Sequence, residues 1–485
     1  MTARRLNAYL GSAVVAASAL ATATLAAPPS TIALTGGRII PVVGDPIPSG
    51  TVLVEDGRII AVGTDVDIPF DATEYDVTGM VVFPGMIDPQ SSGGLDVPNE
   101  TLSVAPYLDV FDAIDPSRAT FENYLRDGVT SVHVMQANNT VVGGISRVVR
   151  PIGLAVNEMT VATDIGIKLS TSPKSGYDRM RQMSELRETF AELGDYVERL
   201  PESVYEAWLK KNDKPLDVGP AEARRLGAEL ITDADYDDAH ANLIRLTRGD
   251  LHGWIYCGFA MDVAPAIAVA RDNDFLDGAV FVLGSTSWKA ADELKRAGRP
   301  VIAPSQMYHR ERDPITGEIE ETFIPSVLHR EGIEFSLLPS GNTSLAERYL
   351  NYQAAVCVRN GIPRQAALEA ITLNPARALG LEEDMGSIEV GKRANLVVFS
   401  GDPLDFTSWV QHVFIDGIHA YDRTNDPRLA EIMKLESMDT GDMTEADAGD
   451  GDGDAADPDD ADADSDSDSG TDAGDGADAD GGDAR

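Results

Sequence analysis

Histidine is the side chain best suited to proton transfer and metal binding near neutral pH. The sequence contains seven of them: His133, His240, His252, His309, His329, His412 and His419. None forms a His-x-His or His-x-x-x-His pair, so no short motif places two imidazoles on one metal ion. His309 follows the apolar run 301–304 and is the best candidate for a histidine that faces a pocket. We expect the histidines within predicted strands and in the sheet regions to be structural: His133, His252, His412 and His419.

The two cysteines, Cys257 and Cys357, are about a hundred residues apart. One disulfide is compatible with an exported protein, but two buried free thiols are the more typical arrangement in a domain of this size. Two cysteines without a paired histidine motif cannot build a cysteine-based zinc site.

The elements that position these side chains fall into three regions. In 31–82, short β-rich runs alternate with turns, and Asp56-Gly57 between two apolar runs is a strong hairpin signal. In 83–382, short apolar strands alternate with amphipathic helices, which indicates parallel strands and a (β/α) barrel. Hairpin-like strands return in 383–425, and we expect them to complete the sheet begun at the N-terminus.

The N-terminal residues 1–27 have the pattern of a cleaved signal peptide. Arg4-Arg5 precede an apolar run from Leu10 to Leu25, and small residues follow. A membrane anchor is the alternative, which the Ala, Ser and Thr content of the run disfavours. We therefore expect a periplasmic or secreted protein without stable membrane insertion.

The formal net charge is -41, and the 45 residues from Gly441 to Arg485 contain 18 acidic residues and one arginine. We expect 429–485 to be a disordered acidic tail, because it contains too few apolar side chains to offset the entropy of ordering. The remainder is also acidic, so the chain is not expected to bind nucleic acid, whose phosphates require the opposite charge.

Several motifs in order give the chain a family resemblance. These motifs are Gly36-Gly37-Arg38-Ile39-Ile40, Val54-Glu55-Asp56-Gly57-Arg58-Ile59, Val82-Phe83-Pro84-Gly85-Met86-Ile87-Asp88, Thr372-Leu373-Asn374-Pro375-Ala376-Arg377 and Gly386-Ser387-Ile388-Glu389-Val390-Gly391-Lys392-Arg393-Ala394-Asn395-Leu396. Together they resemble the amidohydrolase superfamily, and most closely its imidazolonepropionase-like branch, over residues 31–421. The resemblance implies an α/β fold: a (β/α)8 TIM-like barrel of the metal-dependent hydrolase type, with a composite β-sandwich domain from the N- and C-terminal segments.

The resemblance also implies a divalent metal at the barrel mouth, held by imidazoles and carboxylates, which would generate hydroxide near neutral pH. This sequence lacks those side chains at the matching positions. The positions that would hold the metal ligands are Gln90, Ser92, Tyr256, Ser285 and Asn342. Lys168 matches a position near the mouth where some members carry a carbamylated lysine, and Asp88 remains from the junction motif. We therefore expect no metal cofactor.

Three functional hypotheses follow from this pattern. The first is a non-catalytic homologue that binds a small molecule or a partner, such as an active amidohydrolase relative, as a homo- or hetero-oligomer. The second is an active hydrolase for carbon–nitrogen bonds of cyclic amides or small peptides, which uses Lys168, His309 and Asp88, with zinc as its cofactor. The third is an exported scaffold whose acidic tail binds partners.

Overall fold

The computed structural model describes residues 31–339 and 348–439. The compact units of the chain divide after Pro427. The predicted signal peptide 1–27, Asn342, which the resemblance assigns to a metal ligand, and the acidic segment from residue 440 onward lie outside the described residues.

Twenty strands are found in the described ranges. In chain order they are β1 Thr31–Ile39, β2 Ile47–Glu55, β3 Arg58–Gly63, β4 Thr73–Asp76, β5 Val81–Pro84, β6 Met86–Ser91, β7 Val129–Val134, β8 Val142–Ile145, β9 Arg147–Val149, β10 Thr160–Ala162, β11 Gly166–Ser170, β12 His252–Cys257, β13 Ala279–Leu283, β14 Val301–Ile302, β15 Tyr308–Arg312, β16 Ile319–Phe323, β17 Phe335–Ser336, β18 Leu396–Phe399, β19 Val410–Ile415 and β20 Ile418–Asp422.

Twelve α-helices accompany these strands within the same ranges. They are α1 Ala119–Asp127, α2 Val156–Met159, α3 Arg179–Lys211, α4 Pro220–Ala228, α5 Asp238–Thr247, α6 Ala260–Asp272, α7 Ala291–Ala297, α8 Ile324–Arg330, α9 Leu350–Arg359, α10 Arg364–Glu369, α11 Leu373–Ala378 and α12 Pro427–Asp439. None of the helices described combines the length and hydrophobicity that a membrane span requires.

The first and last strands of the compact unit that ends at Pro427 share one eight-stranded sheet. Its order is β20-β19-β18-β5-β1-β2-β3, and β4 pairs with β1. Strand β5 joins the two chain segments, because it runs parallel to β1 and antiparallel to β18. Asp56 and Gly57 form the β2–β3 turn with φ of 48° and 77°, the left-handed conformations that this kind of hairpin requires.

The middle of the chain forms a wall of strands that leads to the candidate site. Strands β6 and β7 are parallel, as are the successive neighbours β11, β12, β13, β14 and β17. Strands β8 and β9 are separated by Ser146 alone, and they connect the two groups because β8 pairs with β11 and β9 pairs with β7. The wall thus contains eight strand positions.

The third position of this wall differs from the all-parallel barrel expected from the sequence. Strands β8 and β9 both run antiparallel to their neighbours. The cause is the short link 135–141 after β7, which contains no helix. A parallel return needs a crossover of about a dozen residues or more, whereas a short link brings the chain back antiparallel.

One buried cluster collects side chains from strands along the whole wall. It includes Ile87 on β6, Trp254 on β12, Val280 on β13 and Ile302 on β14. Trp254 is fully buried, and its ring lies 4.4 Å from the ring of His133. The inner face of the wall is therefore a packed core.

The start of the predicted acidic tail needs a correction. Residues 429–439 belong to helix α12 and are not disordered as expected. The segment contains Leu429, Ile432 and Met433, and Pro427 occupies the first helical position, which proline favours. The shift to Asp, Gly, Ala and Ser comes at residue 440 and not at 429.

Candidate functional site

A polar cavity of about 490 Å³ lies at the carboxyl end of β6. Three of the residues singled out from the sequence line it: Asp88, Gln90 and Ser92. Asn138 from the link after β7 and Arg348 from the segment before α9 complete its opposite walls. The size suits a small organic molecule.

Asp88 is the most deeply buried acid of this cavity, with 1% of its surface exposed. The Tyr124 hydroxyl donates a hydrogen bond to Oδ2 at 2.7 Å, and the Gln90 backbone N–H donates to Oδ1 at 3.1 Å. Burial raises the pKa of Asp88 to about 7, although both hydrogen bonds act to lower it. Asp88 can therefore both hold and release a proton near neutral pH.

A chain of hydroxyl groups continues from Asp88. Tyr124 has a single hydroxyl proton, which forms the hydrogen bond to Asp88. In the 2.7 Å hydrogen bond between Ser91 and Tyr124, the Ser91 hydroxyl is therefore the donor. The Gly93 backbone N–H in turn donates to Ser91 at 3.1 Å. These hydrogen bonds hold the side chains of Asp88 and Tyr124 in fixed positions relative to each other.

Gln90 is the first of the positions that the resemblance assigns to metal ligands. Its Nε2 donates to Asn138 Oδ1 at 3.2 Å, while Oε1 is buried and has no partner in the described part of the chain. An amide is a poor ligand for zinc, whose protein ligands are imidazole, thiolate and carboxylate. The unpaired Oε1 instead favours a ligand with a hydrogen-bond donor.

Lys168 lies in the packed interior of the wall and does not line this cavity. It sits on β11, opposite Trp254 on β12, and its Nζ is fully buried without a hydrogen-bond partner in 31–339 or 348–439. Burial lowers its pKa to about 7. The ring centre of Tyr256, another position that the resemblance assigns to a metal ligand, lies 5.8 Å from Nζ. Tyr256 is half-buried and packs against the same cluster as Trp254.

The other two described candidates lie together at a different place. Ser285 is exposed in the loop after β13, and its carbonyl accepts a hydrogen bond from Trp288 at 3.1 Å. His309, on the β15–β16 hairpin, packs edge-on against Trp288, and its Nε2 is 3.8 Å from a carboxylate oxygen of Glu311. His309 is not among the side chains that line the cavity at the end of β6. The hairpin that carries it projects its charged residues to solvent.

The structure adds three residues that the sequence did not point to: Tyr124, Asp127 and Arg348. Tyr124 and Asp127 come from α1, and burial raises the pKa of Asp127 to about 7 against the opposing charges of Arg348 and Arg126. One signal was available for Asp127, since a carboxylate in the last turn of a helix is unfavourable for the helix dipole. No sequence motif indicates that Arg348 lies near Asp88 in the folded protein.

The metal implied by the resemblance does not fit the residues present. Across 31–339 and 348–439, no three His, Cys, Asp or Glu side chains are grouped so as to hold one ion. The polar groups in the cavity wall include an amide at Gln90, a hydroxyl at Ser92 and the carboxyl groups of Asp88 and Asp127. These groups can bind an organic ligand by hydrogen bonds.

Comparisons with known proteins agree on one family. The model of the Amidohydrolase family matches residues 328–419. An imidazolonepropionase from Geobacillus sp. (strain WCH70) is 23% identical over 78% of this chain and 88% of its own length. Amidohydrolase tasK from Hapsidospora irregularis is 24% identical over 77% of this chain, which spans only 40% of that protein.

A solved structure is similar over the same region. The crystal structure of an amidohydrolase from Thermotoga maritima MSB8 has a TM-score of 0.67 and 26% identity, and covers 81% of this chain and 100% of that one. The family model, the imidazolonepropionase similarity and this shared fold support the resemblance read from the sequence motifs. The chain is similar to the amidohydrolase superfamily in its motifs, in the matched segment 328–419 and in its fold.

Proposed function

We propose that this protein binds a small polar ligand in the cavity beside Asp88 and has lost metal-dependent hydrolysis. The observation that carries the proposal is the chemistry of the cavity wall. Gln90 and Ser92 provide an amide and a hydroxyl where a metal site needs imidazoles. The buried Oε1 of Gln90 has no hydrogen-bond donor among the described residues, so a ligand can supply one.

The proposal includes closure of the eight-position wall into the (β/α)8 barrel expected of the superfamily. Both ends of the wall bond to one short segment, because Leu337 after β17 donates to the Ala370 carbonyl and Ile87 on β6 donates to that of Ile371. Side chains from β6 and β14 also share one interior cluster. Both features support a ring in which the cavity lies at the carboxyl end of the strands.

The ligand that suits this cavity is a small molecule with several donors and acceptors. Asp88 and Asp127 both have a pKa of about 7 and can donate or accept, while the guanidinium of Arg348 offers only donors. The protein acts either alone or as the binding subunit of an assembly with an active amidohydrolase relative.

A paired experiment tests this function. Purified protein is screened against small amides, amino acids and polyols by thermal shift, and the same panel is incubated with and without added Zn²⁺ and analysed for hydrolysis products. We expect some of these ligands to raise the melting temperature of the wild type but not of Gln90→Leu. We expect no hydrolysis of the panel with or without added Zn²⁺. Zinc-dependent turnover would overturn the proposal.

A second candidate is metal-free hydrolysis of carbon–nitrogen bonds in cyclic amides or small peptides. Asp88 favours it, because its pKa near 7 and its place in the cavity wall suit a general base. Turnover that disappears in Asp88→Asn and persists in His309→Ala would establish this activity and place it at the cavity. Absence of turnover from the wild type would remove this candidate.

We also propose that the chain is exported after cleavage of residues 1–27. The support is the order of basic, apolar and small residues before Pro28. Mass determination of the mature N-terminus in a native host tests it. A protein that retains Met1 and Arg4-Arg5 would contradict export by cleavage.

A further inference from the structure

Two imidazoles face each other in the β domain, away from the proposed ligand cavity. His412 on β19 and His419 on β20 lie on adjacent antiparallel strands, and the Nδ1 of His412 is 3.1 Å from the Nε2 of His419. We propose that this pair binds a divalent transition metal such as Zn²⁺, Ni²⁺ or Cu²⁺.

The separation of the two nitrogens suits a shared ion. Zinc–nitrogen bonds of about 2.0–2.1 Å at a tetrahedral angle place two ligand nitrogens roughly 3.3 Å apart. The observed 3.1 Å needs only a small rotation of either ring. Imidazole is a preferred ligand of zinc, nickel and copper, whereas magnesium and calcium prefer oxygen.

The Tyr421 backbone acts as a hydrogen-bond acceptor for the His419 ring, while Nε2 of that ring faces His412. An acceptor at the second ring nitrogen favours the tautomer with a lone pair on the facing nitrogen, the arrangement that metal-binding histidines generally show. Phe414 stacks on the same ring at 4.7 Å, and the edge of Tyr75 packs against it at 5.0 Å.

The charge beside the pair also suits a cation. Asp422 Oδ1 lies 3.7 Å from His412 Nδ1, and its charge acts on both rings. Asp422 is oriented by hydrogen bonds from Thr424 and Asn425, so it attracts the ion and the two imidazoles bind it.

Binding requires one rearrangement of protons. Without metal, one of the two facing nitrogens carries the proton of the hydrogen bond between them. On metal binding, that histidine carries the proton on its other ring nitrogen instead, by exchange with solvent, and both facing nitrogens become ligands. The side chains of His412 and Asp422 are 19% and 22% exposed, so water can reach the pair and complete the coordination.

Copper binding to the full-length protein tests the proposal. Cu²⁺ alone is titrated into wild type, His412→Ala, His419→Ala and His329→Ala, the last being an exposed histidine on α8 that serves as the matched control. We expect one high-affinity Cu²⁺ per chain, with electron paramagnetic resonance coupling to two nitrogens. Each of the first two variants should weaken binding about tenfold or more, while His329→Ala leaves it unchanged.

The same spectra separate this site from the acidic tail, whose carboxylates give oxygen coordination without nitrogen coupling. If His412→Ala proves unstable, His419→Gln and the Ni²⁺-induced rise in melting temperature supply the same comparison. Copper binding that survives loss of both histidines, or a wild-type spectrum with oxygen ligands only, would overturn the proposal. The site lies outside the ligand cavity, so this result is independent of the proposed function.

Discussion

Tyr124 on α1 donates a hydrogen bond of 2.7 Å to Asp88 at the end of β6, and so ties a helix to the acid of the candidate cavity. This hydrogen bond stabilises the ionised form of Asp88 against the effect of burial. The bond makes Tyr124 a positioning residue for any ligand that contacts Asp88.

Tyr124→Phe should raise the pKa of Asp88 further, because the carboxylate loses a donor while its burial remains. The free energy of unfolding should fall by about 1–3 kcal/mol, since Ser91 also loses its acceptor. Carboxyl ¹³C chemical shifts followed through a pH titration give the pKa. An unchanged value would show that the phenol does not act on Asp88.

Asp88→Asn should remove a pH dependence of stability. The carboxyl ionises near 3.8 in the unfolded chain and near 7 in the folded protein. The folded state thus binds more protons between these values, and the stabilisation from Asp88 falls as pH rises from about 4 to 7. Relative to Asp88→Asn, the wild type should lose up to roughly 4 kcal/mol across that range.

Urea denaturation at several pH values measures this change. Asp405→Asn is a control of opposite sign, since hydrogen bonds from Thr407 lower the pKa of Asp405 and its contribution is lost as pH falls. Parallel pH profiles for the wild type and Asp88→Asn would contradict the buried, protonated state of Asp88.

Lys168→Met should stabilise the protein near neutral and acidic pH. The amine is fully buried without a partner in the described ranges, and its pKa falls from 10.5 to about 7 on folding. The unfolded chain binds more protons between these values, so the wild type gains stability relative to Lys168→Met as pH rises from about 7 to 10. A higher melting temperature for the variant at pH 6 is the expected result, and a lower one would indicate a bound anion or other partner at Lys168.

Ser146→Ala should destabilise the junction between β8 and β9 by about 1–3 kcal/mol. The Ser146 hydroxyl lies 2.7 Å from His133 Nε2 and 3.0 Å from the Gly166 carbonyl, and burial keeps His133 neutral by lowering its pKa to about 3. Ser285→Ala, in an exposed loop, is the matched control and should change stability by less than about 0.5 kcal/mol. Equal stability of the two variants would show that His133 does not depend on Ser146.

The sequence predicted the local elements better than their long-range arrangement. Asp56-Gly57 predicted the β2–β3 hairpin, because this signal is local. The antiparallel third position was missed, since motif order does not report strand direction. Helix α12 was missed because residues 429–439 were assigned to the acidic tail, although they contain apolar side chains that the residues after them lack.

The candidate site was predicted in part for a similar reason. Asp88, Gln90 and Ser92 are close in sequence, so one motif located all three in the cavity. Arg348 lies about 260 residues further along, and only the fold brings it there. Lys168 and Tyr256 lie on the same face of the wall as Trp254, because Lys168 is the register partner of Trp254 and Tyr256 follows Trp254 by two residues.

Crystallography with zinc present during growth, and anomalous data collected at the zinc edge, tests the loss of metal binding most directly. We predict no anomalous peak within bonding distance of Asp88, Gln90 or Lys168, whereas a peak between His412 and His419 would agree with the proposed histidine site. A full-occupancy zinc ion at the carboxyl end of β6 would contradict the loss of the metal centre.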